Sequence, residues 1–167
     1  MPLQKALERA REDKREGKSA STQAGEFVRE EIDNVRAGKS GARSVKQAIA
    51  IGLSEARRAG VDLPPPRKGA APAATRAKAI KDLEAGEEDP GRKPSPKRSA
   101  ATSKALKREG NAAITEQALS QQARSAAAKR TPAQRSAAAR KAAATKGPEE
   151  RSEAARKAAR TRARKQG

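Results

Sequence analysis

The stretch Arg43-Ser44-Val45-Lys46-Gln47-Ala48-Ile49-Ala50-Ile51-Gly52-Leu53-Ser54-Glu55-Ala56-Arg57 carries the clearest period in the chain. Val45, Ala48, Ile49, Gly52, Leu53 and Ala56 recur at the spacing of one helical face, and Gly60 supplies a stop. Ser44, followed three residues later by Gln47, makes a capping box. A helix is therefore predicted over 44–59. Upstream, Ala24, Phe27, Val28, Ile32 and Val35 share one face of a second predicted helix, 24–37, which ends at Gly38. Joined through Gly38-Lys39-Ser40-Gly41-Ala42-Arg43, the two should form a hairpin around Phe27, Ile32, Ile49 and Leu53. Such a pair is marginal alone. Docking of a further helix, predicted over 2–16, or a homodimer through the hairpin is expected to cover it.

Little else in the chain can be buried. Its 167 residues include no Cys, His, Trp or Tyr and one Phe, and carry 39 Lys and Arg against 20 Asp and Glu, a net charge of +19. Leu, Ile, Val and Phe make up about a tenth of the chain, a composition that together with high charge marks disorder. Beyond residue 90 the large apolar residues are Leu106, Ile114 and Leu119, so the core is expected to be N-terminal. The charge is uneven: +4 over residues 1–60, −1 over 61–90 and +16 over 91–167. Leu63-Pro64-Pro65-Pro66-Arg67-Lys68-Gly69 reads as a stiff linker. The expected organisation is a helical module, 1–63; a Pro-rich linker, 64–74; a short helix, 75–86; a second linker, 87–98; and a basic Ala-rich repeat tail, 99–167. The fold class is mostly α: a small N-terminal helical hairpin plus short Ala-rich helices in a largely disordered basic tail.

The tail repeats. Arg135-Ser136-Ala137-Ala138-Ala139-Arg140-Lys141-Ala142-Ala143 returns as Arg151-Ser152-Glu153-Ala154-Ala155-Arg156-Lys157-Ala158-Ala159, with a degenerate copy at Arg124–Arg130. Thr131-Pro132-Ala133-Gln134 and Gly147-Pro148-Glu149-Glu150 are helix starts, with proline at the first helical position. Each unit carries cations and buries almost nothing, which points to a polyanion as partner. A chain that neutralises phosphates releases condensed counterions and gains affinity without reading sequence. Single-strand and sequence-specific RNA modules stack bases on aromatics, and only Phe27 is on offer. Duplex DNA is the expected partner, with RNA second.

The expected nucleic-acid-binding residues are Lys46, Arg57 and Arg58 of the third helix, which project away from its apolar stripe, Arg43 just before its start, and Lys97 and Arg98 in the second linker. In the tail they are Arg124, Lys129, Arg130, Arg135, Arg140, Lys141, Arg151, Arg156, Lys157, Arg160, Arg162, Arg164 and Lys165. Glu26, Glu30 and Asp33 share an exposed face of the second helix, from which a polyanion would be repelled.

Other chemistries find no support. Without Cys or His there is no thiol nucleophile, no thiolate metal site and no imidazole base. Gly38-Lys39-Ser40 is not a phosphate-binding loop, because position 33 is Asp where that motif needs Gly, and a helix precedes it. The pairs Glu30-Glu31 and Glu87-Glu88 are expected to be solvated, with no pocket to shift them. No enzyme, cofactor, metal or small-molecule ligand is expected. The longest apolar run, Ala48–Leu53, is far short of the roughly 20 residues of a membrane span. Met1–Arg9 lacks the apolar region of a secretory signal. A cytoplasmic, nucleoid-associated protein is the expectation.

Two resemblances bear on function. Arg43–Arg57, with Phe27 and the Gly38-Lys39-Ser40-Gly41 lead-in, resembles a family of short basic bacterial proteins of unknown function often labelled "DNA-binding protein". Val45 stands where that pattern would place a basic residue. Ser95-Pro96-Lys97-Arg98 is similar to the Ser-Pro-basic units of linker-histone tails, and the repeat to the Ala/Lys-rich tails of bacterial histone H1-like proteins. The resemblances imply a histone-like DNA-binding role. Two alternatives stand: the hairpin as a protein-interaction module, reached through Phe27 or Ile51 and localised by the tail, and an RNA- or ribosome-associated protein.

Overall fold

The computed structural model describes residues 2–90, 95–145 and 147–166, and every regular element among them is an α-helix. These are α1 (Pro2–Arg15), α2 (Ala20–Arg36), α3 (Val45–Arg58), α4 (Ala73–Glu88), α5 (Pro96–Glu109), α6 (Glu116–Ala128), α7 (Pro132–Thr145) and α8 (Pro148–Gln166). The chain divides into two compact units, Met1–Gln122 and Ala123–Gly167.

The cap of α3 forms as its sequence dictates, with one shift. Ser44 is extended and its Oγ accepts from the Gln47 amide at 3.2 Å, while Gln47 Oε1 reaches one residue further back, to the Arg43 amide at 3.1 Å. Helix α2 begins at Ala20, four residues before the expected start. The apolar faces of α2 and α3 then meet in two clusters. In the first, Ala24 and Phe27 from the beginning of α2 pack with Ala56 from the end of α3, Val61, and Ala6 and Ala10 of α1. In the second, Val35 from the end of α2 packs with Ala42, Val45 and Ala48 at the beginning of α3. The two helices are therefore antiparallel. Between the clusters their backbones touch: a Cβ on Gly52 would lie 2.6 Å from Val28 Cα. No side chain fits there.

Helix α1 docks on α2 through more than its alanines. The Arg9 guanidinium binds both Glu26 and Glu30 of α2, with the Glu30 contact at 3.0 Å. Two carboxylates hold its pKa above the usual arginine value, the Glu30 hydrogen bond most of all. On the far side, α4 packs against α3. Ala79 is buried there, and Ser54 Oγ donates to Asp82 Oδ2 at 2.6 Å, where Lys78 Nζ also binds at 2.7 Å.

Two expectations are corrected. The first is the largely disordered tail: α5 to α8 occupy 96–109, 116–128, 132–145 and 148–166. Low apolar content measures the absence of a core, and apart from the start of α6 a core is not what these helices rest on. Ala, Arg, Lys, Gln and Glu are the strongest helix formers, and each repeat brings its own start signal. Thr131 and Gln134 make both arms of a capping box, at 3.2 and 2.9 Å, and Pro132 and Pro148 open α7 and α8. The second correction concerns the core. Ile114, more than 50 residues beyond the expected module, is 4% exposed and closes the cluster of Val35, Ala42, Val45 and Ala48, with Ala118 and Leu119 packed behind it. Residues 91–94 of the expected second linker lie outside the described residues.

Candidate nucleic-acid interface

Docking of Ile114 brings the end of α5 onto the α2–α3 turn. The Ala42 amide donates to the Gly110 carbonyl at 2.9 Å, and Asn111 Nδ2 donates to the Arg36 carbonyl at 3.5 Å. A Cβ on Gly41 would lie 1.9 Å from the Leu106 carbonyl oxygen, so only glycine admits this approach. Arg36 also pairs with Glu116 of α6 at 3.3 Å. Lys39, Arg43 and Lys46 on the turn and the start of α3 are exposed, as are Lys104, Lys107 and Arg108 on α5. None of these six has an ion-pair partner among the described residues. Lys107 borders two shallow depressions, one with Ala100, Ser103, Lys104 and Arg108, the other with Gly38, Ser40, Gly110 and Asn111. Glu109 is the one carboxylate of α5.

The other predicted residues divide by environment. Arg57 is not a surface cation. It is 7% exposed, and its Nε, Nη1 and Nη2 donate to the carbonyls of Leu63, Leu53 and Pro64 at 3.0, 3.4 and 3.3 Å. Burial lowers its pKa, opposed by Asp82. The reason is geometric: the chain after α3 turns back over the helix end, and Arg57 meets it. Arg58 is half-buried. Lys97 is exposed, while the side chains of Arg98 and Lys165 lie outside the described set.

In the second unit Arg124, Lys129, Arg130, Arg135, Arg140, Lys141, Arg151, Arg156, Lys157, Arg160, Arg162 and Arg164 are all exposed. Arg135 and Arg151 have a structural task as well. The first arginine of each repeat reaches back to a carbonyl near the end of the preceding helix: Arg135 Nη1 to Arg130 O at 2.8 Å, and Arg151 Nη1 to Ala143 O at 3.0 Å. At about 100° per residue, Arg151, Arg156, Lys157, Arg160, Arg162 and Arg164 surround most of α8 and leave one neutral arc, of Ser152, Ala155, Ala159 and Ala163.

The acidic side differs from expectation. Glu31 is 5% exposed and accepts from Ser40 Oγ at 3.0 Å, and burial raises its pKa. Glu55, facing it from α3, is pushed up to about 7, by burial first and then by the Glu31 charge; Arg58 opposes this and Glu30 adds to it. Glu26 and Glu30 are turned to Arg9. Among the described residues no group of three or more His, Cys, Asp or Glu could hold a metal ion, and no helix is long and apolar enough to cross a membrane.

Lys39, Lys104, Lys107 and Arg108 were missed by sequence reasoning. Charge counting alone could have flagged the α5 trio, but their meeting with the α2–α3 turn depends on the burial of Ile114, for which the local pattern gives no signal.

Residues 11–68 match the model of a family of unknown function, DUF6496. The match spans the end of α1, α2, α3 and the segment held by Arg57, and stops short of α4 and Ile114. No curated protein and no solved structure matches the chain.

Proposed function

We propose that this protein binds duplex DNA through its phosphates without reading sequence, as a histone-like, nucleoid-associated protein with no catalytic activity. The observation that carries the reading is the charge of residues 123–167, 14 Lys and Arg against three Glu, with the cations described there exposed on helices. Such a surface suits a partner that is itself a continuous line of negative charge. It suits a partner groove less well, because the neutral arc of α8 offers only the methyls of Ala155, Ala159 and Ala163 where groove binding uses large apolar anchors. Base stacking has no side chain to use, since Phe27 is fully buried. The same burial favours this reading over one in which a protein partner is reached through Phe27.

The test is a salt series on the full-length protein with a duplex of mixed sequence. With about ten phosphates engaged, log K should fall against log salt with a slope near −9, as follows from roughly −0.9 per phosphate. Two unrelated duplex sequences should give the same line. A flat salt dependence, or retention of binding only with one sequence, would overturn the reading. Preference for structured RNA over duplex DNA at equal phosphate concentration would move the assignment to RNA.

A further inference from the structure

We infer that the first unit carries a second duplex-binding face of its own, made by Lys39, Arg43 and Lys46 of the α2–α3 turn and α3 together with Lys104, Lys107 and Arg108 of α5. The inference rests on the proposed function and adds to it a site outside the repeat tail. Three observations carry it. The two trios are more than 50 residues apart in sequence, yet the Ala42–Gly110 hydrogen bond at 2.9 Å and the Gly41–Leu106 backbone contact hold their segments together. All six cations are exposed without ion pairs among the described residues, as are Lys5, Arg11 and Lys14 of α1, and what sets the six apart is that two distant segments bring them to one end of the α2–α3 hairpin. Two nearby carboxylates are held elsewhere, Glu31 buried on Ser40 and Glu116 taken by Arg36, so Glu109 is set against the three cations Lys104, Lys107 and Arg108 on α5.

The chemistry of the surroundings selects the partner. The side chains beside the cations are small or polar: Ala100, Ser103, Ser40 and Asn111. A membrane-surface site pairs its cations with exposed apolar groups that enter the acyl boundary, and no large apolar side chain lines either depression; Leu106, the large apolar residue of α5, is half-buried. Phosphodiester groups need only cations and hydrogen-bond donors.

The experiment uses the full-length protein and two readouts. In the first, lysine acetylation is mapped by mass spectrometry with and without a mixed-sequence duplex at a salt concentration where the complex is saturated. Lys39, Lys46, Lys104 and Lys107 should become protected several-fold while Lys5 and Lys14 of α1 stay reactive. In the second, the salt slope of a Lys104→Gln, Lys107→Gln, Arg108→Gln variant is compared with that of a Lys5→Gln, Arg11→Gln, Lys14→Gln variant of equal net charge. The first should flatten the slope by about 2 to 3; the second should leave it unchanged. If the complex forms and these lysines remain reactive, or if both variants shift the slope alike, the second face is overturned while the tail reading stands. If no complex forms, both fall. Stronger protection by vesicles of anionic phospholipid than by duplex, at equal phosphate, would overturn the choice of partner.

Discussion

Arg57 Nε donates to the Leu63 carbonyl at 3.0 Å, so the last turn of α3 grips the chain that leaves it. The Leu53 and Pro64 carbonyls accept the other two donors. Replacing Arg57 by Ala removes three hydrogen bonds made by a buried side chain and leaves the space it filled, and should cost about 2–4 kcal/mol of unfolding free energy. Arg57→Lys should recover less than half of it, since a point charge cannot copy the planar fork. Urea denaturation measures both. The salt slope of duplex binding should not change, which separates this arginine from the exposed cations.

Gly52 and Gly25 offer a paired test of the α2–α3 crossing. Gly52→Ala would put a methyl against the Val28 backbone and should destabilise by about 1–3 kcal/mol or more. Gly25 is exposed in mid-α2 with nothing within 4 Å of a Cβ, so Gly25→Ala should stabilise by about 0.5–1 kcal/mol. Opposite signs in thermal midpoint are the expected outcome. A shared sign would mean that the helices do not cross at Gly52.

The Glu31–Glu55 pair makes stability depend on pH. Glu55 titrates near 7 when folded, above its ordinary value of 4.5, so the folded state holds a proton that the unfolded state has released between those limits. Its contribution is full below about pH 4.5 and is lost as pH rises through 7. Unfolding free energy should therefore fall by about 2 kcal/mol across that window. Glu55→Gln should remove most of this fall and stabilise the protein at pH 8. Denaturation curves at pH 5 and pH 8 decide it.

Ile114→Ala removes the residue that closes the cluster of Val35, Ala42, Val45 and Ala48. A loss of about 2–4 kcal/mol is expected. Hydrogen exchange should quicken at the Ala42 amide, whose acceptor is the Gly110 carbonyl. The Phe27 cluster, which Ile114 does not enter, should keep its protection.

Much of this fold can be read from local pattern. The period of Val45 to Ala56, the Ser44 cap and the Thr131–Gln134 box are encoded within a few residues of where they act. The helices of the tail are encoded locally too, in propensity and capping, while the low apolar content that points to disorder there reflects only a missing core. Arg57 shows a different limit. It lies off the apolar stripe of its own helix, and only the return path of residues 61–64 determines that it is buried. Glu31 and Ile114 are alike in this respect: each is buried by a segment whose approach no periodicity records. At the candidate interface the exposed tail cations were readable from charge alone, whereas the face at the α2–α3 turn required the position of α5.

The split core also orders events during synthesis. Once Val61 has been made, every residue of the Phe27 cluster exists and can pack. The Val35 cluster must wait for Ile114, about fifty residues later, which at ~5–20 residues per second is a delay of roughly 3–10 s. For that interval the nascent chain presents Val35, Val45 and their neighbours uncovered at one end of a half-finished bundle. This is the stage at which a chaperone would find it, and at which two growing copies on one message would be most prone to stick.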